Sequence, residues 1–321
     1  DLGVSALWIK DESRNPTASF KDRASAVVVA RARQINAQMV VTSSSGNAGA
    51  ALAGMAAAIG QPATVFVPKA APAAKVAQLL VYGAQVFLVD GNYDAAYELS
   101  QQAANEFGWY CRNTGYNPFT LEGKKTAAFE IWEMVMADLP EGTTLSIFVS
   151  VGDGNIIAGL HKGFKDLQTL GWLDQMPRIY GIQAENSAAI ANAFQNHTEN
   201  IEAVQAATVA DSISVDFPRD GVRALRAATQ TGGAYLTVTD AEIIAAIAGL
   251  GPHGIFAEPA GAAAFAGYRK ALSTGVISPE SPALVINTGS GLKDVRAAMQ
   301  AVALAPIVAP DLQALKKVLG Y

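Results

Sequence analysis

Short apolar runs alternate along this chain with alanine-rich helical stretches and with loops of glycine, serine and asparagine. The runs at 7–10, 39–42, 64–67, 85–89, 145–149, 178–182, 235–238 and 282–286 predict strands. Helical patterns cover 20–35, up to Ile59 after the loop at 43–47, 72–82, 92–107, up to Met136, up to Leu170, 219–229, 240–250 and up to Ala271. Residues 195–217 have no clear period and are expected to cross the surface, and 306–321 reads as a peripheral helix. Strands that are apolar throughout belong to parallel sheets covered on both faces. The expected fold class is therefore α/β, with two three-layer α/β domains built on open, mostly parallel sheets. The smaller domain is expected over 39–135 and the larger over 1–38 plus 136–321. Sheets of this kind bind ligands beyond the carboxyl ends of their strands, where regions meet. The unusual loops all fall at such strand ends.

With 321 residues, half of them hydrophobic, the chain can fill two cores. A net charge of −5 gives no reason to expect nucleic acid or an anionic membrane as partner. No uncharged run reaches membrane-spanning length. The single cysteine, Cys111, allows no intrachain disulfide, which fits a reducing compartment, so a cytoplasmic location is expected. His161, His197 and His253 form no pair at metal-ligand spacing, so no metal is expected. His161 reads as surface or structural and Cys111 as a small buried residue.

Chemistry concentrates in four loops. In Asn15-Pro-Thr-Ala-Ser-Phe-Lys-Asp-Arg23, Pro16 holds Asn15 extended, and Thr17 and Ser19 are placed to cap the next helix. Lys21 then falls in the first turn, where the helix dipole opposes an ammonium and favours the neutral amine that attacks carbonyls. Taken alone, a solvated lysine is the simpler reading. Ser43-Ser-Ser-Gly-Asn47 offers hydroxyls and an amide for a carboxylate, or serves only as a helix cap. Gly152-Asp-Gly-Asn155 reads equally as an anion-cradling loop or a tight turn. It is neither a Walker loop nor a full dinucleotide fingerprint, and the Asp153 carboxylate has to point away from any phosphate. Asn287-Thr-Gly-Ser-Gly291 places Thr288 where it can bond an aromatic ring nitrogen, or where it is merely a structural hydroxyl. Glu258-Pro259 reads as a helix start.

These motifs, with Glu258-Pro259-Ala260 and Thr288-Gly-Ser-Gly-Leu-Lys-Asp294, resemble in identity and order those of threonine synthases, which are fold-type II, tryptophan-synthase-β-like enzymes using pyridoxal 5′-phosphate. The resemblance runs from Leu7 to about Ala298. It implies that the cofactor lies between the two domains. Lys21 is implied as its Schiff-base lysine and proton carrier, Asn47 as the partner of its 3′ oxygen, and Thr288 as the partner of its pyridine nitrogen. Gly152, Asp153, Gly154 and Asn155 are implied to hold its phosphate. Ser44, Ser45 and Gly46 are implied to bind the substrate carboxylate, with Lys75, Asn113, Thr114 and the position of Thr120 also near substrate. The implied reaction turns O-phospho-L-homoserine and water into L-threonine and phosphate, in a homodimer.

Two departures stand out. The family pattern Asn-Pro-x-Arg-Leu-Glu-Gly is here Asn117-Pro-Phe-Thr-Leu-Glu-Gly123, with Thr120 in place of a phosphate-gripping arginine. Lys75, Lys124 and Lys125 are candidates to compensate. The glycine loop is Val151-Gly-Asp-Gly154 where many members have Gly-Asn-Ala-Gly. A family segment Gly-Glu-Gly-x-Thr-Pro-Leu is expected to precede Asp1. Thr120 favours one alternative, a β-eliminating lyase acting on serine, threonine or diaminopropionate. A homologue that binds cofactor or metabolite without catalysis is disfavoured by the presence of Lys21, and a nicotinamide dehydrogenase by the lack of Gly-x-Gly-x-x-Gly.

Overall fold

A computed structural model describes residues 3–320. The strands are β1 (Leu7–Asp11), β2 (Val40–Ser43), β3 (Ala63–Pro68), β4 (Gln85–Val89), β5 (Tyr110–Cys111), β6 (Ser146–Ser150), β7 (Arg178–Ala184), β8 (Tyr235–Val238) and β9 (Ala283–Asn287). The helices are α1 (Lys21–Gln34), α2 (Asn47–Ile59), α3 (Ala73–Val81), α4 (Tyr93–Phe107), α5 (Phe119–Met134), α6 (Asn155–Thr169), α7 (Ala189–Gln195), α8 (Gly221–Thr229), α9 (Asp240–Leu250), α10 (Pro259–Ser273), α11 (Val295–Ala298) and α12 (Leu312–Leu319). α7 lies where no helical period was read, and the two-residue strand β5 lies where no strand was predicted.

Two parallel sheets result, in the orders β1-β9-β6-β7-β8 and β4-β3-β2-β5. β9, last in sequence, inserts between β1 and β6, with Leu284 opposite both Trp8 and Ile147. This brings three loops distant in sequence to one edge. In the larger sheet, β6, β9 and most of β7 are buried on both faces, as their unbroken apolar runs require. One of its faces packs on Phe20, Ile131, Leu160 and Phe164, the other on Tyr268, Ile243 and Ile247.

α1 leaves the end of β1 yet packs Val28, Val29 and Ala32 with Val40 of β2 and Leu52 of α2. α5 lies across it. A Cβ on Gly123 would stand 2.1 Å from the Arg23 carbonyl oxygen, so only glycine allows this approach. Arg23 is held by Glu12 at 2.7 and 2.8 Å and by Glu130, with Lys10 completing the cluster. These contacts fix the start of α1, and with it Lys21, against both sheets. No helix of the described residues is long and apolar enough to cross a membrane.

Candidate active site

The loop before α1 departs from the capping expected of it. Neither Thr17 nor Ser19 caps the helix, whose N-cap is Phe20 without a side-chain bond. Instead the Asp22 carboxylate accepts from the Thr17 amide at 2.7 Å and from its hydroxyl. Ala18 takes a left-handed φ of 64° so that its amide can donate to the Asn15 carbonyl at 2.7 Å. Ser290 and Glu258 stitch the neighbouring loops together. The Ser290 amide donates to Ala18 O, Phe20 N to Thr288 O at 2.9 Å, and Glu258 N to Gly289 O at 3.0 Å. These backbone bonds hold Lys21, Glu258 and Thr288 on one wall.

The cleft above them has two adjoining parts. The inner part is lined by Lys21, Asn47, Ser150, the loop 152–155, Glu258 and Thr288. The outer part is lined by Ser45, Gly46, Asn47, Lys75, Glu258 and Lys293. Asn47 and Glu258 stand where the two meet, and Asn47 Nδ2 donates to Glu258 Oε1 at 2.8 Å.

Lys21 Nζ makes no hydrogen bond or ion pair with the described residues. Its pKa lies below the ordinary lysine value, first because it is buried; Arg112 pushes the same way, while Asp153 and Glu258 oppose. Burial, not the helix dipole alone, thus favours the neutral amine. Burial raises the Glu258 carboxyl to about 7, against the pull of Asn47 and of Lys293, Lys21 and Lys75. Lys293 is depressed by burial and donates to Gln78 Oε1 at 2.9 Å, while Lys75 pairs with Asp211 at 2.7 Å.

The glycine loop is shaped for an anion. Gly154 has φ 89°, and a Cβ there would stand 2.6 Å from Ala224 Cβ, so the loop lies tight against α8. Among the described residues, the amides of 152–155 meet no acceptor. The Asp153 carboxylate turns away to accept from Arg219 N at 3.3 Å. Asn155 accepts from Lys124 Nζ and donates to Asp220 Oδ2. The Thr288 hydroxyl has no hydrogen-bond partner among the described residues, and the buried Ser150 Oγ has none either. A free amine, four free amides and a free hydroxyl around one cavity fit pyridoxal phosphate, which offers an aldehyde, a phosphate and a ring nitrogen.

The residues expected nearest substrate are not all brought here. Asn113 is spent on structure: its Oδ1 accepts from Thr42 Oγ1 and Ser43 N, and its Nδ2 donates to Ser100 Oγ. Thr114 Oγ1 accepts from Arg112 Nη1 at 3.3 Å. Thr120 is buried and donates to the Asn117 carbonyl at 2.8 Å. Lys125 is tied to Glu122 and Asp166 at 2.7 and 2.8 Å. Ser44 Oγ accepts from the Gly46 amide at 3.2 Å. His161 is buried and pushed down to about 4 by that burial. Sequence reasoning passed over Asp220, which nothing in its context distinguishes, and Arg112, whose only signal is a charge directly after an apolar strand.

The fold and cleft define an enzyme built around pyridoxal phosphate. The family model described as pyridoxal-phosphate dependent enzyme matches residues 1–289. The threonine synthase of Methanocaldococcus jannaschii is 38% identical, over 99% of this chain and 78% of that protein. That of Halalkalibacterium halodurans is 34% identical, over 97% and 84%. The chain therefore belongs to the pyridoxal-phosphate dependent enzymes, on their threonine synthase branch. Among solved structures, the processed threonine deaminase isoform 2 of Solanum lycopersicum has a TM-score of 0.77 at 21% identity, covering 99% of this chain and 79% of that one. Diaminopropionate ammonia lyase of Escherichia coli has 0.76 at 20%, covering 94% and 84%. These two share the fold.

Proposed function

We propose that the protein is a threonine synthase, a lyase that converts O-phospho-L-homoserine and water to L-threonine and phosphate. The observation that carries this reading is the near full-length identity of 33–38% to threonine synthases of several lineages. Solved structures of a threonine deaminase, a serine racemase and diaminopropionate ammonia lyase on the same fold are 18–22% identical.

When bound, pyridoxal phosphate supplies the electron sink for carbanion chemistry at the substrate. The chain's own residues do the rest. Lys21 Nζ would anchor the cofactor and would act as the base at the substrate, taking the proton from Cα, passing it on, and then taking one from Cβ as phosphate leaves Cγ. Protons return to Cγ and Cα as water adds its hydroxyl at Cβ. Burial keeps that amine ready to accept a proton. The amides of 152–155 would hold the cofactor phosphate, Thr288 Oγ1 would serve the ring nitrogen, and Asn47 would serve the ring oxygen. A neutral hydroxyl there, with no carboxylate, would leave that nitrogen unprotonated, which suits elimination and replacement. Ser44, Ser45 and Gly46 orient the substrate carboxylate, and Lys75 lies at the outer part of the cleft. Asn113, Thr114 and Thr120 support this wall rather than touch substrate. A homodimer and a cytoplasmic location belong to the same reading and rest on the resemblance and the lone cysteine.

Thr120 favours one second reading, β-elimination from serine, threonine or diaminopropionate. The test is to feed O-phospho-L-homoserine to the cofactor-loaded protein. Equal release of phosphate and threonine is expected. Phosphate with a keto acid means elimination without productive hydration, and silence alongside deamination of serine or threonine selects the lyase.

A further inference from the structure

Arg112, directly after β5, is one of the most deeply buried large side chains, at 1 % exposure. Its Nε donates to Ser25 Oγ at 3.2 Å and its Nη1 to Thr114 Oγ1 at 3.3 Å, both at the long end of the range. Its Nη2 has no partner among the described residues. No carboxylate among the described residues lies within ion-pair distance of it. Burial lowers its pKa only to about 10, so the group remains a cation at neutral pH. A buried guanidinium with five donors, two weak neutral bonds and no counterion is costly unless an anion completes it.

Its surroundings are cationic too. Ser25 lies one turn beyond Lys21 on α1, so the guanidinium reaches the face that carries Lys21. Arg112 and Lys21 both act on Lys124, which is fully buried and bonded to Asn155. Lys124 lies one turn after Thr120 on α5, so the cations gather where Thr120 itself offers an anion nothing. The nearby acids are engaged elsewhere: Asp153 with Arg219, Asp220 with Asn155 and Arg223, and Asp22 with Thr17.

We propose that Arg112, with Lys124 beside it, is the subsite for the phosphate group of the substrate. The inference rests on the proposed function and adds to it the side chain that recognises the leaving group. A planar guanidinium grips a phosphate dianion through two donors at once, as an ammonium does not. The phosphate of the cofactor has the same chemistry, but the four free amides of the glycine loop already serve it.

The experiment titrates inorganic phosphate into holoenzyme at constant ionic strength by calorimetry, for the wild type, Arg112→Met and Arg112→Lys. Cofactor affinity of the apoprotein and kcat/KM for O-phospho-L-homoserine are measured alongside. Loss of a charge-assisted contact predicts about ten- to a hundredfold weaker phosphate binding and a matching fall in kcat/KM in Arg112→Met. Cofactor affinity is expected to stay unchanged, and Arg112→Lys, which keeps the charge but not the fork, to fall between. Wild-type phosphate affinity in the variants overturns the proposal while turnover by the wild type leaves the proposed function standing. Weakened cofactor affinity with unchanged phosphate affinity assigns the guanidinium to the cofactor and also overturns it. Phosphate binding that depends on Arg112, with no turnover of phosphohomoserine, supports the subsite and sinks the threonine synthase reading. If Arg112→Met does not fold, Arg112→Lys decides by the same phosphate titration.

Discussion

Replacing Glu258 with glutamine should remove a pH dependence of stability that the buried carboxyl imposes. Glu258 is 4 % exposed, and its burial raises the pKa from the ordinary 4.5 to about 7. Between those values the folded protein keeps a proton that the unfolded chain has lost. The folded state thus binds more protons, and stability falls as pH rises through this window. The gap from 4.5 to about 7, taken at about 1.4 kcal/mol per pH unit, amounts to about 3 kcal/mol by pH 8. Glutamine keeps the oxygen that accepts from Asn47 but does not ionise, so the variant lacks this loss. Urea unfolding of the cofactor-free protein from pH 4.5 to 8, wild type beside Glu258→Gln, measures the difference. The wild type should lose about 3 kcal/mol relative to the variant, with most of the change complete by pH 7. A difference that stays flat to within about 1 kcal/mol over this range would refute the electrostatic argument.

Lys21→Ala should abolish the visible absorption of the bound cofactor while leaving far-ultraviolet circular dichroism unchanged; an intact band would move the anchor elsewhere. Gly123→Ala drives a methyl to 2.1 Å from the Arg23 carbonyl oxygen and should cost about 3 kcal/mol in urea unfolding, because backbone on both sides must separate. Arg23→Met removes both guanidinium bonds to Glu12, which is 2 % exposed and keeps only Lys10 at 3.2 Å and the Asn15 side-chain amide at 2.7 Å, and should cost about 2–3 kcal/mol. Adding Glu12→Gln should recover part of that loss, and a double variant no better than the single one would argue against the buried charge as its cause.

Much of the fold was legible because its strands are short and uniformly apolar. β4 and β8 fall where the pattern predicted them, at Gln85–Val89 and Tyr235–Val238. α7 was not seen because its seven residues, Ala-Ile-Ala-Asn-Ala-Phe-Gln, are too few to show a period. The capping of α1 was misread for a different reason. Thr17 has the right chemistry for a cap, but packing of its methyl against Gly54 and the turn at Ala18 hand the polar group to Asp22. The site loops were legible as loops, since Lys21, Asn47, Gly152–Asn155 and Thr288 each stand out from an apolar context. Asn113 and Thr120 were also conspicuous, yet their bonds are structural, Asn113 reaching back to Thr42, Ser43 and Ser100 and Thr120 bonding locally to Asn117. Residue type alone does not show which way a polar side chain turns.

The sequence by itself determined the parallel α/β class, because period and turn chemistry are local properties of the chain. It also determined which loops carry unusual polar groups, because these interrupt apolar runs. Only the tertiary structure decided that β9 lies between β1 and β6, which sets Thr288 beside Lys21 across more than two hundred and sixty residues of chain. Only the tertiary structure decided that Arg112 is buried without a counterion among the described residues, that Glu258 is buried beside Asn47, and that burial lowers the pKa of Lys21. Burial and charge proximity arise from segments distant in sequence meeting in space, and no local pattern records them.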